Sequence, residues 1–428
     1  MPYSSYSKDT NHYVQIDEML CNGCVICMKA CPTKAIRIKD ARVARVEGVC
    51  IDCGECVRVC PKGAIKAITP ESSNLEEPGV YSVSASTVIY SQFDEGIMPN
   101  DVLLALKKMG FKYVHDQSYT NEMFNIALQL YIQENREKND SLFPLISPVC
   151  PVVIRLIAHR FPSLLQHIPP LDTPRELVAR EAKKRLSKKY GCNREDVKVL
   201  HITPCPAKRI YDEEFTILRH SYMDRTIGIC EIIENLNENI RKLDEDTVLH
   251  HSGGIGLGWG MSGGEIGGLN SDCLAVSGLH ETIKYLEKIE IGLLHDIDYI
   301  EFRTCTEGCL GGPYTVVDKY QAKHNLQKLI RIFGMEKRVK YEYVKKLYDN
   351  GWFFIDKQAI PQRPDPANLS ISEGIERQTR VEKILKSLDR KECGICGSPD
   401  CRTFAEDVAD GKVSLDDCIY IKGQTGKK

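Results

Sequence analysis

IDYIEFRTCTEGCLGG, Ile297 to Gly312, runs from an apolar, β-rich hexamer directly into a turn that carries two cysteines, Cys305 and Cys309. The same arrangement occurs twice more. LFPLIS (Leu142 to Ser147) leads through Pro148 and Val149 to Cys150, and VKVLHIT (Val197 to Thr203) leads through Pro204 to Cys205. Helix-like segments separate these runs. PVVIRLIAHRF follows Cys150 with Pro151 in its first turn, where proline is tolerated. TPRE (Thr173 to Glu176) has the form of a capping box. Apolar strands alternating with helices imply α/β lobes. In such sheets the loops at the carboxyl ends of the strands carry the site. Three such loops offering four thiols are what one metal–sulfur cube needs.

The rest of the chain supports metal ligation. Of its 428 residues 19 are cysteines, bunched at short spacings. No export signal is visible at the polar start MPYSSYSKDTNH. Bunched cysteines in a large chain favour metal ligands in a reducing compartment over a disulfide framework, so a cytoplasmic protein is expected. The net charge of −2 gives no basic excess for nucleic acid. The most apolar segment, near Leu142 to Ala158, is broken by Pro144, Pro148, Pro151 and Arg155, so no membrane span is expected.

CNGCVICMKACP contains Cys21, Cys24, Cys27 and Cys31, and CIDCGECVRVCP repeats it 29 positions on with Cys50, Cys53, Cys56 and Cys60. Both are the C-x2-C-x2-C-x3-C-P run of bacterial two-cluster ferredoxins, in which the fourth cysteine serves the other cluster. One [4Fe–4S] set is therefore Cys21, Cys24, Cys27 and Cys60, the other Cys50, Cys53, Cys56 and Cys31. CGICGSPDC with a later DDC adds Cys393, Cys396, Cys401 and Cys418. It follows a helical pattern from Ile371 to Leu388, with Ile375, Val381, Ile384, Leu385 and Leu388 at helical intervals. PQRPDPANLS (Pro361 to Ser370) precedes that helix as a stiff linker. This tail resembles the small four-cysteine iron–sulfur module of corrinoid iron–sulfur proteins and Rnf-type subunits; a structural zinc is the competing reading. Cys192, Cys230 and Cys273 have no ligand spacing.

The middle region resembles the catalytic domain of [FeFe] hydrogenases, whose signature loops TSCCPxW, MPCxxKxxE and ExMxCxxGCxxGG appear here as SPVCPVV, TPCPAKRIY and EFRTCTEGCLGG. The family's glycine-rich stretch with an SGG core matches GIGLGWGMSGGE. The resemblance implies that Cys150, Cys205, Cys305 and Cys309 hold the cubane of an H-cluster and that Cys309 also bridges to its two-iron subsite. It implies too that Lys208 contacts that subsite's anionic ligands, with Ser262 and Gly263 beside the cofactor. The expected fold is α/β: a two-lobed catalytic domain with parallel sheets (73–345), preceded by a ferredoxin-like α+β domain (1–72) and followed by a linker (346–374) and a small helical four-cysteine domain (375–428).

Four departures from the family's loops bear on the site. The relay cysteine of the first loop is Val149, which cannot titrate. Thr203 and Arg303 replace methionines, and Tyr211 replaces a glutamate. A placed proton donor contributes about 10²–10⁴-fold to a rate, so a slow hydrogenase is expected, similar to sensory members of the family. Glu307 and Glu265 are candidate substitute relays. Expected partners are H₂ and protons, a soluble electron-transfer or signalling protein, and maturation proteins for the two-iron subsite; a homo-oligomer is compatible. The alternative is a non-catalytic, hydrogenase-like iron–sulfur protein of cluster assembly or redox signalling. The GxGxxG at Gly258, Gly260 and Gly263 reads as close packing beside a bulky group rather than a nucleotide loop, and His250 and His251 as structural.

Overall fold

A computed structural model describes residues 12–39, 42–68, 80–138, 142–208, 221–355 and 370–421. Tyr211 and the stretch from Pro361 to Leu369 lie outside the described residues. The chain divides into two compact units, Met1–Ile68 with Arg363–Lys428, and Thr69–Gln362. The ferredoxin-like and four-cysteine segments, expected as separate domains, thus pack as one unit. The helix Tyr341–Asp349 runs across the expected domain end at residue 345.

In the first unit, β1 (Val14–Ile16) pairs antiparallel with β4 (Ile65–Ala67), and β2 (Ile36–Lys39) with β3 (Val43–Val46). Short helices Ile26–Ala30 and Glu55–Val59 lie between them. The 29-residue repeat extends to the backbone. Positive φ angles occur in pairs 29 residues apart: Gly23 and Asp52, Val25 and Gly54, Lys34 and Gly63. Each non-glycine in that region costs on the order of 1–2 kcal/mol, so wrapping of the cysteine loops dictates these turns. Helix Ile371–Ser387 begins with a true capping box between Ser370 and Glu373. Val381, Leu385 and Leu388 are buried against Phe404 of helix Cys401–Ala409. Ile375, expected on that apolar face, is 63% exposed.

The second unit contains two parallel sheets. The first has the order β6 (Tyr113–His115), β5 (Val80–Ala85), β8 (Val197–Thr203), β9 (Arg225–Gly228). The second has the order β10 (Cys273–Ser277), β11 (Tyr299–Arg303), β7 (Leu145–Ile146). The α/β reading with parallel sheets holds. Helix Pro174–Tyr190 starts where TPRE places it, but the capping box does not form. Thr173 Oγ1 has no hydrogen-bond partner. Glu176 is drawn away, accepting from Ser221 Oγ at 3.0 Å and Tyr222 N–H at 2.9 Å. Pro174, with φ already helical, starts the helix instead.

Candidate metal and cofactor site

β7, β8 and β11 all end at the same side of their sheets, and each releases a cysteine loop there. Cys150 follows β7 at the N-cap of helix Pro151–Arg160. Cys205 follows β8, and its neighbours Pro206–Lys208 form a single 3₁₀ turn. Cys305 and Cys309 follow β11. The Tyr314 N–H donates to Pro204 O at 2.9 Å, which ties the loop after β11 to the loop after β8. Cys309 N–H donates to Gly260 O at 2.8 Å and fixes the same loop to the glycine-rich stretch. Cys150 Sγ lies 3.9 Å from Thr304 Oγ1. Burial pushes the Cys205 thiol up to about 11; Lys208 opposes this, and the charges of Cys309 and Cys150 add to it. Three of the four thiols are therefore close enough to feel one another, and Cys305 lies in the same loop as Cys309. Lys208 is buried beside Cys205.

The glycines allow these loops to meet. A Cβ on Gly308, which has φ +74°, would fall 2.6 Å from Ser262 N and 2.7 Å from Gly260 O. Only glycine permits that approach between the Cys305–Cys309 turn and the Ser262–Gly263 turn. Gly256 likewise lies against Ser118 O, where a Cβ would stand at 2.2 Å. Close packing, rather than phosphate binding, explains the glycine run. His250, read as structural, is paired with Asp116 at 3.0 Å.

β11 carries an arrangement that sequence reading missed. Tyr299, Glu301 and Arg303 alternate along the strand and share one face, all fully buried. Arg303 Nη2 donates to Glu265 Oε2 at 2.5 Å, and its Nε lies 3.7 Å from Glu301 Oε1. Ser147 Oγ donates to both Glu265 oxygens at 3.0 and 2.9 Å, and Tyr299 Oη donates to the same carboxylate. Glu301 accepts from the N–H groups of Gly263 (3.2 Å), Glu265 (3.0 Å) and Ile266 (3.3 Å). Burial pushes Glu301 up to about 7, with Arg303 opposing and Glu265 adding. Arg303 also feels the charges of Cys309 and Cys150. The signal was present: three polar residues at alternate positions of a buried strand need partners on that face.

Both candidate relay carboxylates have cations against them. Glu265 is held by Arg303, and Glu307 by Lys323 at 2.7 Å. If the resemblance to hydrogenases extends to activity, Glu307→Gln is expected to leave the turnover of cofactor-loaded protein unchanged; a drop in the rate of H₂ production at equal loading would restore it as a relay. Val149 packs with the apolar core on its side chain, while its N–H donates to Ser147 Oγ at 3.3 Å.

In the first unit, Cys21, Cys24, Cys27 and Cys60 line one recess. Cys393, Cys396, Cys401 and Cys418 line another. Cys53 and Cys56 lie near Cys31, and Cys50 near both; burial is the main cause that pushes up the Cys50, Cys53 and Cys56 thiols. Four thiols around a recess suit a cluster whose ligands stand apart. Among the described residues no three His, Cys, Asp or Glu side chains gather tightly enough for a single ion.

Family models match three segments of the chain, of which the hydrogenase segment includes Cys150 and Cys205 and ends before Cys305 and Cys309. The C-terminal domain of the iron-only hydrogenase large subunit matches residues 80–270, a 4Fe-4S dicluster domain matches 13–61, and an Fe–S cluster family matches 388–420. The chain is an [FeFe]-hydrogenase-like protein. It is 30% identical over 286 residues to the periplasmic [Fe] hydrogenase large subunit of Nitratidesulfovibrio vulgaris, covering 60% of this chain and 66% of that one. It is 20% identical over 210 residues to iron hydrogenase 1 of Clostridium pasteurianum, covering 47% of this chain and 34% of the relative. A 39-residue match, 51% identical, links the chain to the corrinoid/iron-sulfur protein large subunit of Moorella thermoacetica, covering 9% of each. The chain thus spans less than two thirds of the length of these curated relatives. A solved [FeFe]-hydrogenase structure, from work on oxygen inactivation of the H cluster, aligns with TM-score 0.50 at 16% identity, over 67% of this chain and 97% of that one. It supports the fold. The hydrogenase-like protein carries iron–sulfur domains at both ends of its sequence, and no described helix is long and apolar enough to cross a membrane.

Proposed function

We propose that this protein interconverts protons and electrons with H₂ at an H-cluster, slowly, and in a role closer to sensing than to bulk hydrogen metabolism. The observation that carries the reading is the convergence of Cys150, Cys205 and the Cys305–Cys309 turn at the carboxyl ends of two parallel sheets, with Lys208 buried beside Cys205. Those four cysteines would hold the cubane, and Cys309 would bridge to the two-iron subsite. When bound, that subsite supplies the redox and acid–base centre for hydrogen chemistry. Lys208 would supply a buried cation to its anionic ligands through charge-assisted hydrogen bonds. Ser262 and Gly263, clamped against the Cys309 loop, would close the wall beside it. Two clusters in the ferredoxin-like segment and one in the four-cysteine tail would carry electrons to and from a soluble protein partner, after maturation proteins load the subsite. Clustered reduced cysteines favour a cytoplasmic location.

The slow, sensory aspect rests on proton delivery. The polar chain from Glu265 through Ser147 reaches the Val149 N–H and stops at an apolar side chain, and Arg303 neutralises its carboxylate end. A non-catalytic assembly or signalling protein is the second reading, and the same interruption favours it.

Infrared spectroscopy after anaerobic maturation tests the proposal. Bands from metal-bound CO and CN⁻ are expected in the wild type. Lys208→Ala is expected to lower retention of the subsite by about 10–100-fold, read as loss of those bands at unchanged iron–sulfur content. Absence of the bands from competently matured wild type would sink the catalytic reading.

A further inference from the structure

The four-cysteine tail does not sit apart from the ferredoxin-like segment; it is bolted to one edge of it. Arg37 Nε and Nη2 grip Asp407 at 2.6 and 3.1 Å, and the pair is buried. Ser398 Oγ completes the Asp407 carboxylate at 3.0 Å. Lys29 Nζ donates to Glu392 O and Pro399 O, both at 2.6 Å. Lys34 pairs with Asp400, which also caps helix Cys401–Ala409 through Thr403 N–H at 2.7 Å. Removing one partner of such a buried pair strands the other charge away from water, so this docking is a fixed part of the unit.

Two of the contacts join residues next to cluster cysteines on opposite sides. Ile38 N–H donates to Gly397 O at 2.9 Å. Gly397 directly follows Cys396, while Ile38 lines the recess of Cys21, Cys24, Cys27 and Cys60. A Cβ on Gly397 would stand 2.1 Å from Ile38 O, so the two backbones touch where only glycine fits. The second contact lies nearby. Gly394, between Cys393 and Cys396, faces Met28, the residue after Cys27; a Cβ there would stand 3.0 Å from Met28 Cε. Met28 is fully buried in the ferredoxin core. At the first point backbone meets backbone, and at the second the Met28 side chain makes the contact.

We propose that the C-terminal centre is electronically continuous with the Cys21/Cys24/Cys27/Cys60 centre, the Ile38–Gly397 hydrogen bond and the Met28–Gly394 contact forming the bridge. This rests on the iron–sulfur reading of both recesses. One electron leaves the reduced C-terminal cluster and reduces the N-terminal one; no proton or atom moves, and a one-electron protein donor supplies the electron. The tail is then the third link of a single relay rather than an independent terminal.

The test uses the full chain reconstituted with iron and sulfide, without the two-iron subsite, and reduced by dithionite. Low-temperature electron paramagnetic resonance of the wild type is expected to show the N-terminal signals broadened by spin coupling to the tail cluster. Cys401→Ser is expected to lose about four irons per chain and this broadening together. The double variant Arg37→Met/Asp407→Leu removes the docking ion pair without leaving a buried charge, and neither residue lines either recess. It is expected to keep the iron content and lose or weaken the broadening. A wild-type spectrum equal to the Cys401→Ser spectrum plus an isolated tail signal would overturn the relay while leaving the iron–sulfur reading intact. Iron content unaffected by Cys401→Ser would overturn both.

Discussion

Val149→Cys in cofactor-loaded protein is expected to raise H₂ turnover by about 10²–10⁴-fold, the usual contribution of a placed proton-transfer group. The position is prepared for it. Its N–H is already fixed by Ser147 Oγ at 3.3 Å, and Ser147 in turn donates to Glu265. A thiol there would stand beside Cys150, at the end of a built polar chain that now meets a methyl-bearing side chain. Cysteine is smaller than valine and still apolar enough for the core that Val149 packs against. The measurement is the initial rate of H₂ evolution from an artificial electron donor, normalised to subsite occupancy by infrared intensity. Val149→Ser serves as a control for shape, since its hydroxyl transfers protons far less readily near neutral pH. Equal rates for wild type and Val149→Cys at equal occupancy would show that proton delivery is not what limits this protein and would favour the non-catalytic reading.

The parts legible in the sequence were those that spacing alone encodes. The eight N-terminal cysteines announce a doubled module because thiolate geometry leaves little choice of spacing, and the paired positive-φ turns at Gly23/Asp52, Val25/Gly54 and Lys34/Gly63 are its backbone counterpart. The three strand-to-cysteine transitions gave the parallel sheets, because a β-rich run ending in a thiol-bearing turn has one sensible place in an α/β lobe. What stayed hidden was tertiary. TPRE has the letters of a capping box, yet Glu176 finds better partners 45 residues on, at Ser221. Arg37 and Asp407 are 370 residues apart, and no local pattern pairs them. Arg303 was visible as a departure from a family methionine, but its partners lie on two other segments. Its meaning depended on Glu265 and Ser147 arriving at the same buried face.

Arg303→Met, which installs the family's residue, tests what that face is for. The guanidinium is 1% exposed and is the cation within reach of both Glu265 and Glu301. Without it two buried carboxylates confront each other, and breaking such a network typically costs about 3–5 kcal/mol. The cost should depend on pH. Glu301 already has a folded pKa raised to about 7 by burial, and losing the opposing Arg303 charge raises it further. Groups raised above their unfolded values stabilise fully below that unfolded value, about 4.3 for glutamate, and lose this as pH rises through the folded value. The variant should therefore be nearly as stable as wild type at pH 5 and poorest at pH 8. Hydrogen exchange of the β11 amides reads it directly: protection at pH 8, after correction for intrinsic exchange, should fall by about 10²–10⁴-fold for about 3–5 kcal/mol. Adding Glu265→Gln removes one of the two charges, and the double variant should recover part of the loss, because Glu301 then faces no second carboxylate and keeps its three backbone N–H donors. If Arg303→Met were as protected as wild type at pH 8, the pair would not be stabilising this face. If instead the double variant were as weak as the single, the loss would come from packing around the longer side chain rather than from charge. Recovery in the double variant would mean that Arg303 and Glu265 occupy each other, so the carboxylate nearest the relay position is committed to holding the strand in place and is not free to carry protons.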